Sequence, residues 1–575
     1  MLNRRQFLEL LGYGAVASSG LSCNLRPFSE PKDKGVSTGS SSKPNIVLIV
    51  ADDMGFSDLS CYGSEIHTPN IDSLAQKGIR FSQFYNASVC CPTRASLLTG
   101  LYSHQAGLGH MVKDPQLPGQ MKMANKGYPA YVGYLNDRCM TIAEGLKLAG
   151  YHTMMSGKWH TGEARPHWPV DRGFDRYFGL IGGGANYFDP VSGMRAPYFP
   201  KDGIRQIALD GKLIKPDPDG FYMTDAITEY AVEFLDEQTS REQPFFLHVS
   251  YTAPHIPLQA LPEDIEKYRG HYMQGWDHVR QDRYQRLAQM GLIDTNWELT
   301  PREESSWPWE EEKDKEWMDL KMAIYAAQIH RMDQGIGKIQ AKIEQMGISE
   351  NTLVLFLSDN GGCSWGGPKG VDIGKDQIPV GNVNSYMSYG TSWANASNTP
   401  FRLYKSWLHE GGISTPLIAS WPGFITQQNT VTHQAGHVMD IMATCLDVAG
   451  VEYPSQYKGR DMIPLEGKSL VPIFKGRQRQ PHEYLCWEFG GNRAVRKGKW
   501  KLVEKAKHIK QMSDIGSWKD WSICIKHSNW ELYDMEADRT EMHDLSDKYS
   551  DKVVELKEIY ARWAQRCGVQ SWPNS

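Results

Sequence analysis

The stretch I-V-L-I-V-A-D-D-M-G, residues 46–55, points to the fold because a run of apolar, β-favouring residues ends abruptly in two acids. The run shows no alternation of polar and apolar positions, which indicates a central strand buried on both faces. A second run of this kind, residues 353–357, ends in S-D-N-G-G. Helix-forming segments lie between the two runs. The sequence therefore predicts the α/β class, with a large sheet flanked by helices on both faces.

Capping residues and apolar runs predict further elements around these two strands. We expect a strand over residues 243–250 and helices over 68–78, 141–150 and about 319–346. Residues 111–137 and 260–317 carry no clear pattern and are candidates for the rim of a pocket.

The pattern changes past Pro481. Short runs at residues 484–489, 493–495 and 500–503 are typical of strands joined by glycine-containing turns, and a closing helix covers about 551–566. These elements predict a smaller C-terminal α+β domain of short antiparallel strands with a terminal helix. We place the larger domain at residues 44–475 and the smaller one at 476–575.

The first 23 residues are typical of an export signal. Two adjacent arginines lie ahead of a weakly apolar stretch, and N-R-R-Q-F-L resembles a twin-arginine signal. L-S-C at residues 21–23 partly resembles a bacterial lipoprotein cleavage site, with a plain cleaved signal peptide as the alternative to a lipidated Cys23. Residues 24–43 predict a flexible linker. We therefore expect an exported protein, periplasmic or lipid-anchored at the bacterial cell envelope.

The composition of the 575 residues is that of an ordinary globular protein, with 40% hydrophobic and 22% charged residues. A formal net charge of −5 gives no reason to expect a nucleic-acid partner, although a positive pocket is compatible with it. No apolar run after the signal approaches the roughly 20 residues that a membrane span needs. The ten cysteines show neither disulfide nor zinc spacing, so disulfide pairing stays open, as does the oligomeric state.

Acidic and amide side chains follow both apolar strands, at the sheet edge where open α/β sheets bind ligands. They are Asp52 and Asp53 after the first strand, and Asp359 and Asn360 after the second. Three carboxylates crowded together repel one another unless a cation joins them. Hard oxygen ligands favour Ca²⁺ or Mg²⁺ over zinc. For either pair alone, helix capping or a solvated loop is the ordinary alternative.

A second candidate site lies in S-V-C-C-P-T-R-A-S-L-L-T-G, residues 88–100. Pro92 suits the first helical position and Gly100 the position past the end, which puts Cys90 and Cys91 at a helix N-terminus that favours anions. Arg94, about one turn later, is placed to fork onto an anionic oxygen. A core cysteine and a thiolate nucleophile are the alternatives. Thiolate phosphatases, however, place five residues between these two residue types, whereas three lie between Cys90 and Arg94.

Residues 90–100 resemble the sulfatase signature Cys-x-Pro-x-Arg with its following Leu-Thr-Gly. Five further segments resemble sulfatase elements, and all six occur in the expected order. These five are A-D-D-M-G at 51–55, G-K-W-H at 157–160, A-P-H at 253–255, S-D-N-G-G at 358–362 and N-T-P-F-R-L-Y-K at 398–405. The chain is thus similar to the Cys-type, formylglycine-dependent sulfatases described as arylsulfatases, in the alkaline-phosphatase-like superfamily. This resemblance implies a large mixed sheet and a small four-stranded C-terminal domain.

The resemblance implies that a maturation enzyme oxidises Cys90 to formylglycine, whereas Cys91 fills the variable position. It also implies a bound divalent ion, Ca²⁺ with Mg²⁺ as the alternative, and a sulfated small molecule or saccharide as the substrate. The implied site residues are Cys90, Arg94, His160 and His255 for catalysis, Lys158 and Lys405 for the sulfate, and Asp52, Asp53, Cys90, Asp359 and Asn360 for the metal.

The implied reaction is hydrolysis of a sulfate monoester. One hydroxyl of the hydrated aldehyde attacks sulfur and gives its proton to Asp359, while the metal and the cations hold sulfate oxygens. His255, alone or with Lys405, protonates the departing alcohol oxygen. His160 then takes the proton of the second hydroxyl, which ejects sulfate and restores the aldehyde. A serine at position 90 has a single hydroxyl and cannot complete that last step.

Two other functions stay open at this point: a phosphodiester or phosphonate monoester hydrolase that uses the same site, and a non-catalytic protein that binds sulfated glycans. Glu163 departs from the family pattern, and a solvated loop charge is its expected state. We expect His104 in the pocket wall or just behind the site. The sequence names neither the alcohol that carries the sulfate nor exo or endo action.

Overall fold

The computed structural model describes residues 43–111, 128–194, 205–376, 379–508 and 525–570. The predicted export signal and residues 24–42 of the predicted linker lie outside these ranges, so those predictions are not addressed by the fold. Residues 112–127, within the first unassigned stretch, also lie outside them. In the described part of the chain, no helix combines the length and the apolar character that crossing a bilayer requires.

The secondary structure alternates between strands and helices along most of the described chain. The strands are β1 (Asn45–Ala51), β2 (Gly78–Phe81), β3 (Phe84–Tyr85), β4 (His152–Gly157), β5 (Arg176–Leu180), β6 (Ile207–Leu209), β7 (Lys212–Ile214), β8 (Phe245–Ser250), β9 (Thr352–Ser358), β10 (Asp372–Ile373), β11 (Tyr386–Met387), β12 (Leu417–Ser420), β13 (Thr430–Thr432), β14 (Gly436–His437), β15 (Gln456–Tyr457), β16 (Arg460–Asp461), β17 (Leu485–Phe489), β18 (Asn492–Lys497), β19 (Trp500–His508) and β20 (Ile525–Asp534). The α-helices are α1 (Pro69–Gln76), α2 (Cys90–Thr99), α3 (Ser103–Ala106), α4 (Ile142–Lys147), α5 (Met223–Gln238), α6 (Pro262–Ile265), α7 (Trp276–Gln289), α8 (Lys315–Gln345), α9 (Gly390–Ser397), α10 (Glu410–Ile413), α11 (Met439–Ala449), α12 (Val471–Phe474) and α13 (Ser550–Cys567).

A large mixed sheet forms the centre of the fold, as predicted. Among the described residues its strand order is β13-β2-β12-β9-β1-β8-β4-β5-β6-β7. The central strands β9, β1, β8, β4 and β5 are parallel to their neighbours in this series, whereas β12 and β6 join it in the antiparallel sense. The parallel strands therefore all end at one edge, which is the edge that the sequence predicts for the site.

Strand β1 is buried on both faces, which explains its unbroken apolar run. Val47 and Ile49 face one hydrophobic core, which α5 and α8 cover. Leu48 and Val50 face a second core, which α2, α4 and α11 cover. Each of these side chains is at most 1% exposed, and full burial of one contributes about 1.5–3 kcal/mol.

Most predicted helices are present, and one start position is wrong. The capping box of α4 is formed, because Thr141 Oγ1 accepts a hydrogen bond from the Glu144 amide at 3.1 Å and Glu144 Oε2 accepts one from the Thr141 amide at 3.0 Å. Helix α2, however, begins at Cys90 and not at Pro92. Proline is tolerated there because first-turn amides have no partner within the helix.

The second unassigned stretch, residues 260–317, packs largely onto the core and does not consist of rim loops alone. It contains α6, α7 and the start of α8. Trp276 and Trp309 pack against Trp393, with ring centroids 5.5 and 6.0 Å away. These contacts fix Trp393 in the core next to this stretch.

A separate four-stranded antiparallel sheet, β17-β18-β19-β20, forms the C-terminal part of the described chain. Helix α13 packs on it and buries Leu556 and Trp563 against residues such as Val495 and Leu502. This arrangement confirms the predicted small antiparallel sheet with a terminal helix. The exact boundary between residues 475 and 476 stays a prediction.

A buried ion network joins the two sheets. Lys501 Nζ on β19 lies 2.8 Å from Glu410 Oε1 and 2.8 Å from Glu541 Oε1. Arg539 Nε lies 3.0 Å from Glu410 Oε2. All four side chains are fully buried. Removing one partner would leave a buried charge uncompensated, so the network holds the small sheet in place.

Glu410→Gln is expected to destabilise the protein by about 3–5 kcal/mol near pH 7 because Lys501 and Arg539 lose their shared carboxylate. Burial alone would raise the pKa of Glu410, but Lys501 and Arg539 outweigh it and lower this pKa to about 2 from the ordinary 4.5. A carboxylate with a lowered pKa stabilises the fold above its unfolded-state pKa, and this stability is lost as the pH falls towards about 2.

The thermal midpoints of the wild type and Glu410→Gln, compared between pH 7 and pH 3.5, test this expectation. Their difference should be largest at pH 7 and should shrink below about pH 4.5. A difference that stays constant over this range would contradict the assignment.

Candidate active site

The predicted site residues meet at the carboxyl edge of the large sheet. Four of the five central strands each deliver part of the set within five residues of their end. Asp52 and Asp53 follow β1, Asp359 and Asn360 follow β9, Lys158 and His160 follow β4, and His255 follows β8. Helix α2 contributes Cys90 and Arg94, and the loop after α9 contributes Lys405.

Two lysines, Lys158 fully buried and Lys405 with its side chain 13% exposed, pair with the two acids after β1. Lys158 Nζ lies 2.5 Å from Asp52 Oδ2, and Lys405 Nζ lies 2.5 Å from Asp53 Oδ1. Burial lowers the pKa of Lys405, but Asp53 outweighs it and holds this pKa well above its usual value. His255 Nε2 lies 3.6 Å from Asp53 Oδ2. The structure thus brings both predicted sulfate-binding lysines to the carboxylates.

Arg94 forks onto an anionic oxygen, as predicted from its place in α2, and this oxygen belongs to Asp359. Its Nε and Nη2 lie 3.0 and 2.8 Å from Asp359 Oδ2. Its Nη1 donates to the backbone oxygen of Lys158 at 3.2 Å and to Ser250 Oγ. The guanidinium is 1% exposed, so its position is fixed from several sides.

Three side-chain oxygens at this edge are buried and have no hydrogen-bond donor among the described residues. They are Asp52 Oδ1, Asp53 Oδ2 and Asn360 Oδ1. The Asn360 amide donates to Asp53 Oδ1 at 2.7 Å, which turns its own oxygen towards the same region. Ligand atoms of Asp52, Asp53 and His255 also lie within 4.8 Å of one another. Unsatisfied buried oxygens are costly, so this donor set fits a hard divalent cation.

Cys90 is the first residue of α2, and its side chain is buried among the charged groups of the site. The charges of Lys158, Lys405 and Asp52 all act on its sulfur. Burial raises the pKa of the Cys90 thiol, so the unmodified side chain is a neutral thiol. Cys91 turns away from this cluster, because its Sγ donates to the backbone oxygen of His110 at 3.5 Å. The structure therefore distinguishes the two adjacent cysteines.

The two histidines differ in exposure. His160 is 4% exposed, and burial, Lys158 and Arg94 lower its pKa well below the usual value. Its backbone has a φ of 56°, in the left-handed region. The His255 side chain is 17% exposed, and its Nδ1 donates to the Ile256 backbone oxygen at 2.6 Å. That bond leaves His255 Nε2 facing Asp53 and the opening of the site.

Sequence analysis missed several residues that hold these groups in place. Gly157 has a φ of 123°, and a Cβ there would lie 1.9 Å from the Ser250 backbone oxygen. A Cβ on Gly183 would lie 2.6 Å from the imidazole of His160. Tyr187 contacts the backbone oxygens of Thr252 and His255 through its hydroxyl, at 2.7 and 2.9 Å. In the sequence, the G-G-G run at residues 182–184 was the one feature that indicated a close approach of the backbone to other groups.

Ser250→Ala is expected to lower kcat/KM by about 10–100-fold, since small displacements of positioning groups cost this much. Ser250 Oγ accepts from Arg94 Nη1 and donates to the Lys158 backbone oxygen at 2.8 Å. Its loss leaves both groups less constrained. Steady-state kinetics on an aryl sulfate measure the effect.

Ser156→Ala is the matched control, because this buried serine of β4 donates to the Ile227 backbone oxygen at 2.7 Å, away from the site. Ser250→Ala loses two buried hydrogen bonds and Ser156→Ala loses one, each at about 1–3 kcal/mol of stability. Equal kinetic effects in the two variants would contradict a positioning role for Ser250.

Two residues from the sequence analysis lie in other surroundings than expected. His104 Nε2 lies 3.0 Å from Glu488 Oε2 on β17, with Tyr131 and Trp563 around its ring. It therefore contributes to the contact between the small sheet and α3. Glu163 is half-buried, and a Cβ on Gly182 would lie 3.3 Å from its Oε1, so it is not a fully solvated loop charge.

Comparison with known proteins agrees with this geometry. Residues 44–451 match the sequence pattern of the family described as Sulfatase, and residues 401–565 match that of the N-sulphoglucosamine sulphohydrolase C-terminal region. An uncharacterized sulfatase of Schizosaccharomyces pombe is 36% identical over 555 residues, which cover 93% of this chain and 96% of the relative. The arylsulfatase of Klebsiella aerogenes is 36% identical over 462 residues, covering 77% and 95% of the two chains.

Among solved structures, Ps i-CgsB in complex with k-i-k-neocarrahexaose is similar, with a TM-score of 0.63 and 25% identity, covering 93% of this chain and 95% of the other. The family match spans the large sheet and all the strand ends that form the site. This chain belongs to the sulfatase family and is a hydrolase of sulfuric esters.

Proposed function

We propose that this sulfatase removes sulfate from a carbohydrate sulfate monoester, through a formylglycine made from Cys90 and a bound Ca²⁺. One observation carries the proposal: residue 90, three cationic side chains and three unsatisfied oxygens meet in one buried site. The cations are Arg94, Lys158 and Lys405.

The metal site would be formed by oxygens of Asp52, Asp53, Asp359 and Asn360, together with the modified residue 90. These four acid and amide residues are at most 1% exposed, which leaves little room for the waters that Mg²⁺ retains. We therefore favour Ca²⁺, which accepts more protein oxygens at longer distances. When bound, the ion supplies Lewis-acid polarisation of a sulfate oxygen and favours an ionised hydroxyl nearby.

Formylglycine would supply what no unmodified side chain offers, a hydrated carbonyl with two hydroxyls on one carbon. One hydroxyl serves as the nucleophile, and the second allows the sulfate to be expelled afterwards. Cys90 is placed for this role at the start of α2, beside Arg94 and the acids. The proposal requires a maturation enzyme as a partner of the newly made chain.

The proton transfers would be divided between the two histidines. His255 is the more exposed and presents Nε2 to the opening, so it is suited to protonate the departing alcohol oxygen. His160 is buried among cations, which favours the neutral imidazole that can accept a proton. Arg94, Lys158 and Lys405 would hold the negative charge that develops on the sulfate oxygens.

The carbohydrate assignment rests on the relatives and on the expected export. The solved relative Ps i-CgsB is described in complex with k-i-k-neocarrahexaose. The predicted signal at residues 1–23 would bring this chain to the cell envelope, free in the periplasm or lipid-anchored, where extracellular polysaccharides are met. Sulfated saccharides are for these reasons favoured over simple aryl sulfates as the natural substrates.

Mass spectrometry of the peptide that contains residue 90 tests the modification, on protein purified from its native host. Formylglycine at position 90 and cysteine at position 91 are the expected result. A plain thiol at position 90 in fully active protein would contradict the proposal.

Initial rates on sulfated mono- and disaccharides, aryl sulfates and aryl phosphate diesters test the substrate class. The highest kcat/KM is expected on a sulfated saccharide. Higher rates on the phosphate diester would instead favour the phosphodiesterase alternative, and absence of turnover would favour a glycan-binding protein.

A further inference from the structure

We propose that Trp365 and Tyr386 hold the sugar ring of the leaving group, with Glu163 and Arg205 on the opposite side of the opening. This inference rests on the proposed carbohydrate substrate and assigns the place where its ring binds. It adds a subsite to the groups that handle the sulfate.

The exposure of the site shows the direction from which the substrate enters. Arg94 and Lys158 are at most 1% exposed, so the sulfate-binding end is closed. The side chains of His255 and Lys405 are 17% and 13% exposed. The ester must therefore enter past these two groups. Because His255 protonates the leaving oxygen, the alcohol lies on the outer side of His255.

A small apolar cluster, apart from the two main cores, includes the residue that follows His255. It consists of Ile256, Trp365, Val371, Ile373 and Tyr386. We call it the mouth cluster. Ile256 directly follows His255 in the chain, which joins this cluster to the proposed proton donor.

The loop that carries Trp365 is fixed next to the metal-binding acids. It begins after Asn360, and the Gly362 backbone oxygen at its start accepts a hydrogen bond from the Lys405 amide at 3.1 Å. The Trp365 ring lies 6.2 Å from that of Tyr386 at an angle of 83°. Trp365 is only partly buried, whereas Tyr386 beneath it is 6% exposed. Tyr386 thus supports an indole that reaches the surface beside the reacting groups.

A glycine run at residues 182–184 also lies against His255. A Cβ on Gly184 would lie 3.2 Å from His255 Cε1. A Cβ on Gly182 would lie 3.3 Å from Glu163 Oε1 and 3.6 Å from Arg205 Nη1. This run therefore leads from the proton donor to a carboxylate and a guanidinium.

Arg205 also lies close to the mouth cluster. Burial raises the pKa of the Tyr386 hydroxyl, and the charge of Arg205 is the strongest influence that opposes it. The two sides meet beside His255, because a Cβ on Gly184 would lie 3.2 Å from His255 Cε1 and 3.9 Å from the backbone oxygen of Ile256, a member of the mouth cluster.

This combination matches a sugar better than an aryl ring. A pyranose offers an apolar face to an indole, and its hydroxyls bind carboxylate and guanidinium groups. An aryl ring would use the indole and would have no hydroxyls to offer to the carboxylate and the guanidinium. Ligand sites typically combine aromatic walls with a few placed polar groups.

The test compares matured wild type, Trp365→Ala, Trp365→Phe and Glu163→Gln. The substrates are galactose 4-sulfate, galactose 6-sulfate and N-acetylglucosamine 6-sulfate, with 4-nitrophenyl sulfate as the reference. On the best of the three sugars, Trp365→Ala should lower kcat/KM by about 10–100-fold, mainly through KM, as expected for a lost stacking contact. Trp365→Phe should recover most of this loss.

Glu163→Gln separates sugar binding from aryl binding. It should lower kcat/KM about tenfold on the best sugar sulfate, through weakened hydroxyl contacts, and less than about twofold on 4-nitrophenyl sulfate. Trp500→Ala on β19 and Glu229→Gln on α5 are the controls, since both lie outside the opening.

Three results would overturn the inference. The first is an unchanged KM for sugars in Trp365→Ala, and the second is an equal effect of Glu163→Gln on both substrate kinds. The third is a wild type that hydrolyses 4-nitrophenyl sulfate and none of the three sugars. In each case persistent turnover of 4-nitrophenyl sulfate leaves the formylglycine mechanism standing. A failure of this subsite inference is therefore distinguishable from a failure of the proposed function.

Discussion

Replacing Cys90 by serine is expected to lower kcat by at least about 10³-fold, because the serine cannot complete a second round. Its single hydroxyl can take the sulfate from the ester, with loss of its proton and release of the alcohol. No second hydroxyl then remains on that carbon to expel the sulfate. The variant should release at most one equivalent of 4-nitrophenol from 4-nitrophenyl sulfate and then stop, which stopped-flow absorbance and intact-mass measurement can follow.

Cys91→Ser is the matched control for this experiment. Cys91 is as buried as Cys90 and lies one position further along α2, yet its sulfur faces the His110 backbone. Its replacement should leave kcat within a few-fold of the wild-type value. Sustained turnover by Cys90→Ser, or an equal loss in Cys91→Ser, would contradict the assignment of residue 90 as the nucleophile.

Asp53→Asn is expected to abolish metal binding and to lower kcat/KM by at least about 10³-fold. Asp53 accepts hydrogen bonds from Lys405 at 2.5 Å and from the Asn360 amide at 2.7 Å, and its other oxygen is unsatisfied. An asparagine removes a full negative charge from the proposed ligands. It also leaves the largely buried Lys405 side chain without its ion pair.

Titration calorimetry with CaCl₂, after chelation with EGTA, measures the metal directly. The wild type should lose activity on chelation and recover it when Ca²⁺ is returned, whereas Asp53→Asn should neither bind nor recover. Asp225→Asn is the control, since Asp225 forms an ion pair with Arg331 on the outer helices. Wild-type activity that survives complete chelation would contradict a metal-dependent site.

The architecture was predictable because its signals are local. The unbroken apolar runs of β1 and β9 require burial on both faces, and the capping box of α4 is contained in four residues. The acids at the strand ends were predictable as a set, because parallel strands finish at the same edge.

The partners of these residues were not predictable, because they are far apart in the sequence. Arg94 and Asp359 are separated by 265 positions, and nothing near either residue indicates the other. Ser250 is the last residue of an ordinary apolar strand, and its role depends on where Arg94 and Lys158 arrive. The environment of Glu163 likewise depends on a glycine run that begins nineteen positions later in the sequence.

The buried ion network between the two sheets limits how this enzyme can be rebuilt. A chimera that takes its last hundred or so residues from another protein would have to bring a lysine and an arginine to the positions of Lys501 and Arg539. Otherwise the Glu410 carboxylate would remain buried and charged without these cationic partners. Exchange of the C-terminal domain therefore requires compensating changes on both sides of its contact with the larger domain. The loops that border the active site can be redesigned independently of this contact.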